Sequence, residues 1–436
     1  MHSKAAVLVA LLMLAIPASP SPLSEYDFYL APFSKNLTQQ SIVQTLQDSR
    51  GALWFLTTEG LSKYQGLTVE NYRFIAGDLN SISTNNVTSI VEDAYGEIWI
   101  ATKGEGLNRY NAATNAFEVR RSDPNNRNSP FSNTIYSLLA DSSGILWLGY
   151  SGSFSSFNPK TGDFHHYTSA SLGLTDIGDI LDIAEDKDGT LWLATTTGLL
   201  RAEQTNQVQP HINVEKIKVV SESNSEVNRL LVTTENILWA AHLNLGISII
   251  DLNTDQISFI SHDEGSNTSL SSNRVLDIFE DQSGQVWVAT FEGLNLYSQE
   301  TNDFVRFTDS NSDLPDKIVT SVYQSREGQY WVGTIYGLGT GTKGHFPIFD
   351  ESSGKLSSNA VNAFAGTADG SLWVGTDNGL NRLRPGSQEF EWLNEYTSPG
   401  LSSSAVMSLL GDGNYLWIGT FDGGLNRLDI STGDLK

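Results

Sequence analysis

Short apolar runs recur along this chain, and each is followed by the same polar punctuation. Val87-Thr-Ser-Ile90-Val91, Ile135-Tyr-Ser-Leu138, Val275-Leu-Asp-Ile278-Phe279 and Val406-Met-Ser-Leu409 have the length and composition of buried strands. After the run comes a turn ending in glycine: Asp93-Ala-Tyr-Gly96, Asp141-Ser-Ser-Gly144, Asp186-Lys-Asp-Gly189, Asp281-Gln-Ser-Gly284. Aspartate bonds its own backbone and glycine accepts a positive φ, so each turn predicts a hairpin. A tryptophan strand follows, as in Trp331-Val-Gly-Thr334, Trp373-Val-Gly-Thr376 and Trp417-Ile-Gly-Thr420. The small residue two places after Trp shares its face, which lets a neighbouring sheet come close. The unit then turns into Gly-Leu, as in Gly106-Leu-Asn-Arg-Tyr110 and Gly379-Leu-Asn-Arg-Leu383. An outer strand often completes it, such as Phe164-His-His-Tyr167, Phe304-Val-Arg-Phe307 or Phe390-Glu-Trp-Leu393.

The phrase occurs nine times, at Trp54, Trp99, Trp147, Trp192, Trp239, Trp287, Trp331, Trp373 and Trp417, spaced by 42 to 48 residues; only Trp392 stands outside the series. Four antiparallel strands at this period, with no helical-period segment between them, are the blades of a propeller. A blade cannot bury both of its faces alone, so blades stack around an axis. The predicted class is all-β: a β-propeller of four-stranded antiparallel blades.

The irregular copies suggest how the nine repeats divide. Copy three is degenerate after its Trp (Trp147-Leu-Gly-Tyr150-Ser-Gly152-Ser-Phe154), and so is copy five (Trp239-Ala-Ala-His242). Copy seven runs into Gly337-Leu-Gly-Thr-Gly-Thr-Lys-Gly344, read as a loose glycine-rich join. Tyr26-Asp-Phe28-Tyr-Leu-Ala-Pro-Phe33 reads as a lone strand whose Pro32 belongs at a sheet edge, and it can close a first ring against copy seven. The expected division is a signal peptide at 1–22, a seven-bladed propeller at 23–350 and two further blades, the start of a second and incomplete propeller, at 351–436. The alternative is a single nine-bladed ring.

Composition narrows the class of function. With 39% hydrophobic and 17% charged residues the chain is globular. A formal net charge of −24 repels phosphate backbones and anionic lipid, which argues against nucleic acid as a partner. There is no cysteine, which excludes disulfides, thiolate metal sites and cysteine nucleophiles. Lys4, the apolar run Ala5 to Ile16 and Pro17-Ala18-Ser19-Pro20-Ser21-Pro22 form a secretory leader, and the run is too short to cross a bilayer comfortably. No other segment has the length of a membrane span, so the chain is expected to be exported.

Trp-Ile/Val-Gly/Ala-Thr followed by Gly-Leu-Asn-Arg-Tyr/Leu resembles the two-component regulator propeller repeat, over about residues 41–436. The resemblance implies the periplasmic sensor region of a bacterial signalling protein. Members usually carry two seven-bladed propellers, an immunoglobulin-like domain, a membrane helix and a histidine kinase or GGDEF-type diguanylate cyclase output. This chain departs from that pattern. It has nine Trp repeats, stops at Lys436 where a ninth outer strand is due, and contains no kinase or cyclase motif.

Motifs with chemistry of their own are weak. Gly337 to Lys343 lacks the glycine before lysine that a phosphate loop needs. Asp186-Lys-Asp188-Gly189 opens like a calcium loop, but the bidentate acid would fall at Thr197, so it reads as a turn. The Asp-to-Trp turns are similar to the Asp-box of sialidase-type propellers, although Asp93 precedes Trp99 and Asp281 precedes Trp287 by six residues. Nothing places two carboxylates at glycosidase separation. His165 and His166 point to opposite faces of a strand and do not share a metal. No catalytic residue, metal site or cofactor is indicated.

The candidate ligand site is therefore a rim. The loop after each Trp strand varies and carries Lys103, Glu105, Tyr150, His242, Asn244, Phe291, Glu292, Tyr336, Asp377, Asn378, Phe421 and Asp422. The loop leading into the inner strand contributes Asn85, Asn133, Asn273 and Asn359, which can equally serve to cap turns. Aromatics beside amides and acids suit a small polar molecule or an oligosaccharide. The leading expectation is a non-catalytic ligand-sensing input region, with homodimerisation as the expected partnership within a full receptor. The alternatives are an exported enzyme acting on polysaccharide and a truncated receptor fragment without independent function.

Overall fold

The computed structural model describes residues 22–436 apart from 67, 206–210, 218–225, 344–350, 352–353, 386, 388 and 397–399. The leader expected at 1–22 thus lies, save for Pro22, outside the described residues. The chain forms two compact units, Met1–His345 and Phe346–Lys436.

The first unit contains seven four-stranded sheets, numbered here as blades 1 to 7 in the order of their Trp. Blade 6 shows the plan: an inner strand Val275–Glu280, the Trp strand Val286–Thr290, a third strand Gly293–Ser298 and an outer strand Asp303–Phe307, all antiparallel.

The sequence motif builds each hairpin locally. Oδ1 of Asp281 accepts the N–H groups of Ser283 (2.9 Å) and Gln285 (3.0 Å), while Gly284 takes a φ of +81°. Oδ2 accepts the indole N–H of Trp287 at 2.9 Å. Asp48–Trp54, Asp93–Trp99, Asp141–Trp147 and Asp186–Trp192 repeat this bond at 2.9, 2.8, 2.7 and 3.0 Å. One carboxylate therefore closes the turn and satisfies the one polar atom of the buried ring, which explains the six-residue spacing. The Asp186 segment is such a turn.

The small residue after each Trp makes room for the next blade. A Cβ on Gly149 would stand 2.8 Å from Cβ of Ile180, and one on Gly333 would stand 2.8 Å from Cβ of Ile42. Ala101 and Ala194 hold the same position beside Ile135 and Val227. The apolar core is thus a series of blade-to-blade layers, with Trp54, Trp99 and Trp287 among its most completely buried side chains.

Closure of the unit corrects one expectation. Gly337–Lys343 is not a loose join; it is the third strand of blade 7, and Tyr26–Leu30 pairs with it as the outer strand. Glycine is needed there for contact, because a Cβ on Gly341 would lie 2.4 Å from the carbonyl oxygen of Asp27 and 2.5 Å from the Phe28 ring.

Inner strands leave one edge of N–H and C=O groups unpaired, and each blade caps the next. Gln44 bonds Ile90 N and O, Thr88 bonds Ile135 O, and Ser137 bonds Ile180 O. Asp182 then accepts Leu230 N–H, Asn228 donates to Val275 O, Asp277 accepts Val322 N–H and Thr320 donates to Ile42 O. All seven junctions are bridged, blade 7 to blade 1 included, so the sheets close on themselves.

The second unit holds a four-stranded sheet, Val361–Gly366, Leu372–Thr376, Gly379–Leu383 and Phe390–Leu393, and a three-stranded one, Val406–Asp412, Tyr415–Thr420 and Gly424–Asp429. The same devices operate: Asn362 donates to Val406 O at 3.1 Å, and a Cβ on Gly375 would stand 2.6 Å from Val406 Cγ1. Among the described residues no helix is long and apolar enough to cross a membrane.

Candidate functional site

The two loop families expected on one rim do meet there. Lys103 N–H donates to Asn86 O (3.0 Å) and Gly104 N–H to Asn133 O (3.0 Å). The four asparagines are turn caps: Asn85, Asn133, Asn273 and Asn359 accept N–H groups of Phe74, Ser122, His262 and Glu351 at 2.6–2.8 Å. Nor are the repeat's Thr and Asn free. Thr290 Oγ1 donates to Gly293 O at 2.9 Å, while Asn295 exchanges bonds with Ser271 N–H (2.9 Å) and Oγ (2.8 Å).

Two of the proposed rim residues are not on the surface. Tyr150 and His242 are fully buried, because each replaces the inward-facing Thr of the Trp-x-Gly-Thr phrase. His242 bonds Ser248 Oγ at 2.8 Å, and burial lowers its pKa to about 4, so it stays neutral. Burial likewise pushes the Tyr150 phenol up.

The other rim residues of the first unit lie at least partly open. Lys103, Asn244 and Glu292 are exposed, Tyr336 is 68% exposed, and Glu105 is half-buried. Glu105 pairs with Arg121 at 3.1 Å and Glu292 with Lys317 at 3.0 Å. The Arg274 guanidinium lies 3.4 Å from the centroid of the Phe291 ring. In the second unit Asp377, Asn378, Phe421 and Asp422 are exposed, with Asp377 held by Asn362 at 2.7 Å and Asn378 by Ser357 O at 3.1 Å.

Sequence reasoning missed two features. The first is on the inner strands of blades 4, 5 and 6, where Arg229 sits between Asp182 and Asp277. Burial raises both carboxyls, Asp277 to about 6, against the opposing pull of the Arg229 charge. The second is a cleft of about 600 Å³ between blades 5 and 6, at the end of the sheets that carries the Asp turns, opposite the rim. Its visible signal is Thr233, which stands where five other blades have the Asp that binds their Trp.

The two component regulator propeller repeat matches six segments, 81–104, 129–152, 174–197, 269–292, 313–336 and 355–378, which fall on blades 2, 3, 4, 6 and 7 and on the first sheet of the second unit. No curated protein matches the chain. Among solved structures it is similar to the extracellular domain of a putative hybrid two component system from B. thetaiotaomicron, with TM-score 0.63 and 23% identity over 94% of this chain and 54% of that one. It is also similar to the extracellular domain of a putative one component system from the same organism, with TM-score 0.58 and 23% identity over 95% and 54%. Virginiamycin B lyase from Staphylococcus aureus shares the fold at TM-score 0.55 and 12% identity, over 73% of this chain and 99% of the lyase. The chain spans about half the length of these two extracellular-domain structures. It is an all-β propeller protein that carries six matches to the two component regulator propeller repeat.

Proposed function

We propose that this chain is a ligand-sensing propeller, the non-catalytic input region of a bacterial signal-transduction receptor of two-component or diguanylate cyclase type, exported to the periplasm by its leader. One observation carries the reading. The polar residues that define the repeat are spent on the scaffold, whereas Lys103, Asn244, Phe291, Glu292 and Tyr336 differ from blade to blade and remain open on one rim. The regulator repeats and the sensor-protein relatives support it. In the same reading residues 23–350 make one propeller, 351–436 begin a second, and a small molecule or oligosaccharide is the ligand. Any kinase or cyclase output belongs to a longer receptor, whose homodimerisation or rigid-body movement carries the signal.

The competing reading is an exported enzyme acting on polysaccharide, and the raised acidity range of Asp277 beside Asp182 and Arg229 is the observation in its favour. Calorimetric titration of the purified chain with an oligosaccharide panel, with product analysis of the same mixtures, separates the two. Saturable binding without products supports sensing. Turnover that disappears in Asp277→Asn supports the enzyme and overturns the proposal.

A further inference from the structure

The cleft between blades 5 and 6 is a second place where this molecule can take a ligand, and it does not depend on the rim. Its volume, about 600 Å³, is that of a small-molecule site. Glu25, Glu235, Glu280 and Glu300 line it together with Trp239 and Tyr297, and no Lys, Arg or His is among its lining residues. The two aromatic rings meet edge to face at 5.0 Å. Lys343 stands at the margin, 3.9 Å from Glu25 and 3.5 Å from Gln285 Oε1.

An independent observation marks the cleft as more than an acidic patch. In blades 1–4 and 6 the turn carboxylate takes the indole N–H. In blade 5 that residue is Thr233, whose hydroxyl is occupied by the N–H of Ile237 at 3.1 Å. Trp239 is 3% exposed and lines the cleft together with Thr233, and its indole N–H, bonded to no acceptor among the described residues, opens to the cleft. A donor that opens into the cleft without a protein acceptor can take a ligand carbonyl there.

We infer that this cleft binds a lysine-bearing peptide segment, with a backbone carbonyl on the indole N–H of Trp239 and the ammonium among the glutamates. The carboxylates exclude anionic ligands by repulsion. Glu280 is already committed, accepting Thr234 N–H at 2.8 Å and the Thr234 hydroxyl at 2.7 Å, and Glu235 Oε2 accepts Gln299 Nε2 at 3.4 Å, so Glu300 and the other oxygen of Glu235 remain to meet the cation. The Tyr297 ring adds a face for it.

The test is calorimetric titration of the full chain at low salt with acetyl-Gly-Lys-Gly-amide, against acetyl-Gly-Glu-Gly-amide and cellotetraose. The lysine peptide should bind saturably and more weakly as salt rises, and the glutamate peptide should not bind. Trp239→Phe keeps an aromatic ring but removes the donor, and should weaken binding by about tenfold, the worth of one hydrogen bond. Glu235→Gln with Glu300→Gln, both exposed positions, should abolish it with the melting temperature unchanged. Equal binding of the two peptides, preference for cellotetraose, or undiminished binding in the variants would overturn the assignment, as would absence of binding in the unaltered chain. Failure here leaves the rim reading untouched, because these variants lie on the opposite face.

Discussion

Oδ2 of Asp281 holds the indole N–H of Trp287 at 2.9 Å, and the Tyr330 hydroxyl of the next blade donates to the same oxygen at 2.7 Å. One carboxylate thus joins a turn, the ring packed above it and the neighbouring sheet. Burial alone would raise its pKa, but the bonds from Ser283, Trp287, Tyr330 and the Gln285 amide outweigh burial and bring it below the ordinary aspartate value.

Asp281→Ala leaves a buried indole, a buried phenol and two turn amides without their acceptor. We expect a loss of about 3 kcal/mol in urea unfolding, with a smaller loss for Asp281→Asn. Because its pKa is depressed in the folded state, its stabilisation is present above pH ~4 and is lost as pH falls through the folded value. The variant should therefore differ from the parent less at acid pH than at neutral pH.

Asp277 works in the opposite sense. Its folded pKa, about 6, is above that of the unfolded chain, so its contribution is intact below pH ~4 and is lost as pH rises toward 6. Asp277→Asn keeps an oxygen for the Val322 N–H and removes the charge. The urea midpoint of the parent should fall relative to that of Asp277→Asn between pH ~4 and 6, and parallel curves would contradict the assignment.

Closure by the N-terminal strand is equally open to measurement. Phe28 is 2% exposed and packs edge-on against Trp287, Phe307 and Tyr330. Phe28→Ala should cost about 3–5 kcal/mol. Hydrogen exchange should then lose protection first in Gly337–Lys343, the strand that Tyr26–Leu30 covers.

Gly333 tests the spacing between blades. A Cβ there would stand 2.3 Å from Ser321 Oγ as well as 2.8 Å from Ile42. Gly333→Ala should lower stability by about 1–3 kcal/mol through overpacking, read as a drop in melting temperature, and Gly333→Val should cost more.

Much of this architecture is legible in the sequence because each repeat writes the same physical solution. The Trp series, the glycine-ended turns and the small residue after Trp predict blades, hairpins and close sheet contact, and Asp281, Trp287 and Gly333 show each of these in atoms. What misleads is residue type without register. Gly337 to Lys343 looks like a loop because its composition is Gly and Thr, yet those glycines exist to let Asp27 and Phe28 approach. Tyr150 and His242 look like variable loop residues, but they fall on the Thr position of the strand, where both faces of the sheet are covered. Thr233 is visible as a departure from Asp; that blades 5 and 6 part there into a cleft depends on packing that no local pattern encodes.

The rim decides the account. Titrating an oligosaccharide panel into the purified chain and into the double variant Phe291→Ala/Tyr336→Ala, with stability followed in parallel, addresses it most directly. The sensing reading predicts saturable binding without products in the parent, and at least about tenfold weaker binding in a variant that remains folded. Binding that is unchanged in the variant, or turnover in the parent, would contradict it.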